Sequence, residues 1–193
     1  TPNRMKATFR NVIFENNRSQ YMPVAGGTAH FQSVGCYVNK ELQHGDMEIV
    51  MDSVRFVNNT SLQTAGIVAS SVSSYFSLDT NAPSAPPVGT NRPKLILNVT
   101  NSEFIGNRSN TENYYGPDAS YNRDAYGSAA YLYTRNGGDL TANYTSVTFD
   151  SNRAEFKNGK RVYGGGITEV VDIKESVFET NYSNVTFVNN SAG

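Results

Sequence analysis

The sequence predicts an all-β fold, a right-handed parallel β-helix of four to five coils with three short strands each, in one domain over residues 1–193. Three observations predict it. A thirteen-residue phrase occurs five times without a gap: MKATFRNVIFENN (5–17), MEIVMDSVRFVNN (47–59), LILNVTNSEFIGN (95–107), LTANYTSVTFDSN (140–152) and FETNYSNVTFVNN (178–190). Apolar residues within it alternate with period two, as a half-buried strand requires and a helix does not. Asn, Ser, Thr and Gly are abundant, and Tyr (12) and Phe (10) supply the aromatics, a mixture suited to strands and turns.

Copies beginning at 5, 47, 95, 140 and 178 stand 42, 48, 45 and 38 residues apart, a spacing typical of stacked repeats. The first element of each copy is a strand whose first, third and fifth residues are mostly apolar, as in Met47, Ile49 and Met51 or Leu95, Leu97 and Val99. Small or polar residues follow (Asp52-Ser53, Thr100-Asn101, Thr145-Ser146) and read as a bend. The second element is a short strand, V-x-F in four copies and Ser102-x-Phe104 in the third, with an Asn three residues after the Phe. The third lies beyond a variable loop and is rich in small residues: GGTAHF (26–31), AGIVAS (65–70), YGSAAYLY (126–133) and YGGGITEV (163–170).

Bends rather than hairpins separate these strands. Propeller blades would need a hairpin turn in each repeat, and Asn-Gly occurs only at Asn136-Gly137 and Asn158-Gly159. Equivalent residues of a parallel stack lie one strand spacing apart, about 4.8 Å. Phe14, Phe56, Phe104, Phe149 and Phe187 are then expected to form an internal aromatic column. Asn17, Asn59, Asn107, Asn152 and Asn190 are expected to form an amide ladder and to accommodate the tight turn geometry. Both sets are structural in this reading, with no chemistry assigned to them.

The F-x-x-N tetrapeptides at Phe14–Asn17, Phe56–Asn59, Phe104–Asn107, Phe149–Asn152 and Phe187–Asn190 come with looser versions of G-G-A-[ILV]. The latter stand at Gly26-Gly27-Thr28-Ala29, Ala65-Gly66-Ile67, Gly127-Ser128-Ala129-Ala130 and Gly165-Gly166-Ile167. In this pairing the chain resembles the chlamydial polymorphic outer-membrane proteins and related β-helical surface repeats of microbial eukaryotes. The resemblance spans nearly the whole chain and implies surface display and adhesion. That family's membrane-anchoring barrel has no counterpart in these residues. Phe178-Glu-Thr-Asn181 also spells F-x-x-N, but it aligns with Leu140–Asn143 and belongs to the first strand.

Charge is balanced, with 16 Lys+Arg against 17 Asp+Glu, so no basic field suggests nucleic acid. No apolar run has the length of a membrane span. Cys36 is the single cysteine and reads as a small buried strand residue. His30 and His44 lack partners at metal-ligand spacing, so no metal and no cofactor is expected.

Nine N-x-[S/T] sequons occur, at Asn17, Asn58, Asn59, Asn98, Asn107, Asn143, Asn181, Asn184 and Asn189. About four are expected by chance from the Asn and Ser/Thr content. Asn98, Asn143 and Asn181 share the fourth, outward position of the first strand and are expected to stack as a row of acceptors. Asn58 and Asn189 flank the ladder, and Asn184 lies at the bend. Asn17, Asn59 and Asn107 sit in the ladder, where a buried amide cannot carry a glycan. N-linked glycans on the other six imply a secretory route and an extracellular or cell-surface location.

Long insertions at 77–93, 108–125 and 153–162 fall on the flanks, and Tyr114, Tyr115, Tyr121 and Tyr126 form a candidate partner-binding patch. Polysaccharide lyases and hydrolases also use parallel β-helices, and their sites need converging carboxylates or a Ca²⁺ cluster. Asp52 is matched in neighbouring copies by Arg10 and Thr100, and Asp118, Asp124, Asp139, Asp150, Glu169 and Asp172 occupy unrelated repeat positions. No catalytic residue is therefore assigned, and a carbohydrate-active enzyme stands second to a structural or adhesive module. The first copy begins at residue 5 and the last ends at Asn190, leaving no room for caps. The expected partners are copies of the chain stacked head to tail as a filament or stalk, flanking coils of a longer chain, and surface glycans or receptors.

Overall fold

The structure is a computed structural model and describes residues 3–18, 27–38, 41–61, 63–73, 92–110, 125–155, 162–172 and 176–193. It is all-β. The first repeat supplies β1 (Asn3–Arg10), β2 (Ile13–Glu15) and β3 (Ala29–Val38). The second supplies β4 (Glu41–Asp52), β5 (Arg55–Val57), β6 (Thr60–Ser61) and β7 (Ile67–Ser73). The third gives β8 (Lys94–Thr100), β9 (Glu103–Ile105), β10 (Arg108–Asn110) and β11 (Ala130–Arg135). The fourth gives β12 (Asp139–Thr145), β13 (Thr148–Asp150), β14 (Arg153–Glu155) and β15 (Ile167–Asp172). The fifth gives β16 (Val177–Ser183), β17 (Thr186–Val188) and β18 (Ser191–Ala192).

Equivalent strands of successive repeats pair in parallel. β1, β4, β8, β12 and β16 form one stack, with Met47 opposite Leu95, Leu95 opposite Leu140 and Leu140 opposite Phe178. β2, β5, β9, β13 and β17 form a second, and their Phe residues pair rung by rung. β6, β10, β14 and β18 form a third. β3, β7, β11 and β15 form a fourth.

Two features depart from the sequence expectation. The second, third and fourth repeats hold four strands rather than three, because a two- or three-residue strand follows the ladder Asn. In the first repeat Arg18 makes the equivalent bridge, to Thr60. So short a strand shows no alternation. Its one signal is the small residue two places after the ladder Asn, seen in Ser61, Ser109 and Ala154, all buried. The second departure is an antiparallel hairpin. β3 and β4 pair from Gly35 opposite His44 to Val38 opposite Glu41, which joins the first and fourth stacks into one nine-stranded, nearly closed sheet. No Asn-Gly or Asp-Gly dipeptide marks it, so turn chemistry did not announce it. Asn158-Gly159 and Asp118 and Asp124 lie outside the described residues.

The core is the inward set of the alternating strands. Ile49, Met51, Phe56, Leu95, Leu97, Val99, Phe104, Leu140, Tyr144 and Phe149 are fully buried. Each such side chain contributes roughly 1.5–3 kcal/mol through loss of contact with water. Two bends per repeat turn the chain, and each places one residue in the left-handed region: Asn11, Ser53, Asn101, Ser146 and Asn184 at the first, Asn16, Asn58, Gly106, Ser151 and Asn189 at the second. Asn and Gly tolerate that region best. The left-handed residue thus precedes the ladder Asn by one, and the ladder Asn itself is not the turn residue. Close backbone packing elsewhere excludes side chains: a Cβ on Gly66 would stand 2.0 Å from the Ala129 carbonyl oxygen.

Candidate functional site

The F-x-x-N phrase builds the centre of the molecule. Phe14, Phe56, Phe104, Phe149 and Phe187 stack with successive ring centroids 4.7, 5.0, 4.8 and 4.9 Å apart and planes within 15° of parallel. Offset stacks of this kind are worth about 0.5–1.5 kcal/mol per pair beyond burial.

Beside the column, each internal Asn amide is satisfied by the repeats on either side. Asn17 Nδ2 donates to Asn59 Oδ1 at 2.9 Å, and the same bond recurs from Asn59 to Asn107, Asn107 to Asn152 and Asn152 to Asn190. The backbone N–H of Asn17, Asn59, Asn107 and Asn152 donates to the same oxygen. The second Nδ2 proton reaches back to a Phe carbonyl, from Asn59 to Phe14, Asn107 to Phe56, Asn152 to Phe104 and Asn190 to Phe149. Full pairing lets Asn59, Asn107 and Asn152 be completely buried. Every Asn-to-Asn bond runs in one sense, so the ladder is directional.

A second amide row lies outside. Asn143 Nδ2 donates to Asn98 Oδ1 at 2.8 Å, and Asn181 Nδ2 to Asn143 Oδ1 at 3.0 Å. Asn58, Asn184 and Asn189 are exposed at left-handed bends. Tyr126 stacks on Tyr131 at 4.4 Å and on Tyr163 at 5.3 Å, and Tyr131 on Tyr133 at 5.1 Å. Tyr114, Tyr115 and Tyr121 lie outside the described residues.

The acids are dispersed over the surface and one edge. Asp52 accepts from Asn101 Nδ2 at 3.0 Å and Thr100 Oγ1 at 3.1 Å, and these two hydrogen bonds, in that order, hold its carboxyl below the usual range. Asp139 faces Arg92 at 3.5 Å. Asp150 accepts from Ser151 Oγ. Among the described residues no three His, Cys, Asp or Glu side chains gather where they could hold a metal ion. His30 lies in β3 on an exposed position, whereas the His44 imidazole is buried beside Asp46. Cys36 is a residue of β3.

Glu169 is the acid that the sequence placed least well. It stands opposite Leu132, which stands opposite Ala69, itself opposite Phe31, so a carboxylate ends a row that is otherwise apolar. The Tyr182 hydroxyl donates to it. Burial first, then this bond, pushes the Tyr182 phenol up, and burial does the same to Tyr144 beneath it. Gly166, Ile167, Glu169, Tyr182 and Phe187 line an open hollow of about 450 Å³ on this edge. Comparison of the chain with protein-family models, with curated proteins and with solved structures finds no match.

Proposed function

We propose that the chain is a non-enzymatic, extracellular structural or adhesive module: a parallel β-helix whose edges are extended end to end by further turns of the same kind. The turns come from a second copy stacked head to tail or from flanking coils of a longer chain. One observation carries this reading, the complementarity of the two outermost rungs. Asn190 Nδ2 donates to the Phe149 carbonyl but has no Asn oxygen beyond it among the described residues. At the opposite edge Asn17 donates to Asn59, while its own Oδ1 accepts nothing among the described residues. Phe187 tops the column with 51% of its surface exposed.

A copy set with its Phe14 on Phe187 and its Asn17 on Asn190 gives these atoms the bonds that Asn59, Asn107 and Asn152 already make. Main-chain pairing along the sheet edges adds to them. Such an interface is heterologous and does not close on itself, so it produces a filament or stalk. Light scattering of the purified chain over a range of concentrations is the test. Mass should grow with concentration, and Phe187→Lys should hold the chain as a monomer with an unchanged circular dichroism spectrum. A wild-type chain that stays monomeric at every concentration removes self-stacking.

A further inference from the structure

Nine sequons raise the question of which asparagines a secreted form carries modified, and the fold sorts them by what stands on the neighbouring rung. We propose that N-linked glycans sit on the bend asparagines Asn58, Asn184 and Asn189, and that the outer row Asn98, Asn143 and Asn181 stays unmodified as a second amide ladder. The assignment rests on the extracellular reading above. It reverses the sequence expectation for the row, where outward orientation alone made these three acceptors.

Three observations support it. First, the ladder sequons at Asn59 and Asn107 have a structural origin: the Asn is needed for the ladder and the Ser two places on, Ser61 or Ser109, is the small buried residue of the following strand. Second, the outer row joins sequon to sequon, Asn143 Nδ2 donating to Asn98 Oδ1 at 2.8 Å and Asn181 Nδ2 to Asn143 Oδ1 at 3.0 Å. Rungs repeat at about 4.8 Å, less than the width of a hydrated sugar ring, so adjacent glycans on this row would displace one another. Third, each bend asparagine meets a small residue at the matching bend of the repeat beside it. Asn58 lies over Gly106, where a Cβ would come within 2.5 Å of its Oδ1. Asn184 lies over Ser146, to whose hydroxyl its Nδ2 donates at 3.1 Å. Asn189 lies beside Ser151, whose backbone N–H bonds the Val188 carbonyl. All three are exposed, and none of these facing residues is a sequon asparagine, so a glycan at the bend has no glycan one rung away.

The donor is a lipid-linked oligosaccharide diphosphate. A glycosyltransferase forms the bond from Nδ2 to the sugar C1 as the bond from C1 to the diphosphate oxygen breaks; the lipid diphosphate leaves, and the amide loses one proton to a transferase base. Transfer occurs on the folding chain, so the fold acts as a filter on which products survive. A glycan on the inner ladder or the packed outer row prevents neighbouring rungs from closing.

The test is site mapping of the full chain secreted from a eukaryotic host. Release by an N-glycosidase in heavy-oxygen water converts each formerly glycosylated Asn to labelled Asp, which tandem mass spectrometry locates. Label is expected at Asn58, Asn184 and Asn189, and absent from Asn98, Asn143 and Asn181. Ser191→Ala, which keeps Asn189 and its bend but destroys the sequon, should remove one glycan. Label on Asn143 in the secreted, folded fraction overturns this assignment while leaving the glycoprotein reading intact. A secreted chain with no label at any site overturns both.

Discussion

Asn107 makes four hydrogen bonds through one amide: it donates to the Phe56 carbonyl and Asn152 Oδ1, and accepts from the backbone and side chain of Asn59. Replacing it with Ala strands these partners in a water-free interior, where each unpaired polar group costs about 1–3 kcal/mol. Asn107→Ala should therefore destabilise by about 3 kcal/mol or more in urea unfolding. Asn17→Ala, at an exposed rung with partners on one side only, should cost less than about 1 kcal/mol. Equal losses at the two positions would mean that the ladder does not couple repeats. This role was legible in the sequence because the Asn recurs at a fixed distance from a Phe. Which of two adjacent residues takes the left-handed conformation was not, since Asn fills both places in Asn58-Asn59 and Asn189-Asn190. Only the ladder bonds decide between them.

Each strand depends on the strands above and below it rather than on its own length, and most have three to seven residues. Phe104 in β9 is covered on both faces by Phe56 and Phe149, whereas Phe187 in β17 is covered on one. Phe104→Ala should cost about 3–5 kcal/mol by opening a cavity mid-column. Phe187→Ala should cost about 1 kcal/mol, since half of that ring already meets water. Denaturant midpoints of the two variants would check the ranking. The same logic explains what sequence reading reached. Strands of five or more residues reveal themselves by alternation, and the short Phe strands by their repeat. β6, β10, β14 and β18 are set by the neighbouring rung and carry almost no pattern of their own. The β3–β4 hairpin arises from a run, Gly35 to His44, whose residues suit either parallel or antiparallel pairing.

At the scale of the whole molecule, one row of the fourth stack runs from an aromatic ring at one outer edge to a carboxylate at the other. A second copy seated on the β15–β16 edge would bring its Phe31 over Glu169, because Phe31, Ala69, Leu132 and Glu169 occupy one register position. Tyr182 and Tyr144, the titratable groups beside that carboxylate, stay protonated, since burial pushes both phenols up. Covering that carboxylate with an apolar ring takes a charge out of water, which costs free energy and weakens the seating. Glu169→Leu should therefore associate more tightly, as read by light scattering, with circular dichroism confirming that the fold persists. Unchanged association in that variant would place the controlling charge elsewhere.

The one-way sense of the Asn-to-Asn bonds has a geometric consequence. Two identical edges brought face to face break that sense, whereas a copy stacked the same way up continues it. A filament built by the proposed stacking would therefore have unlike tips, growing at unequal speeds.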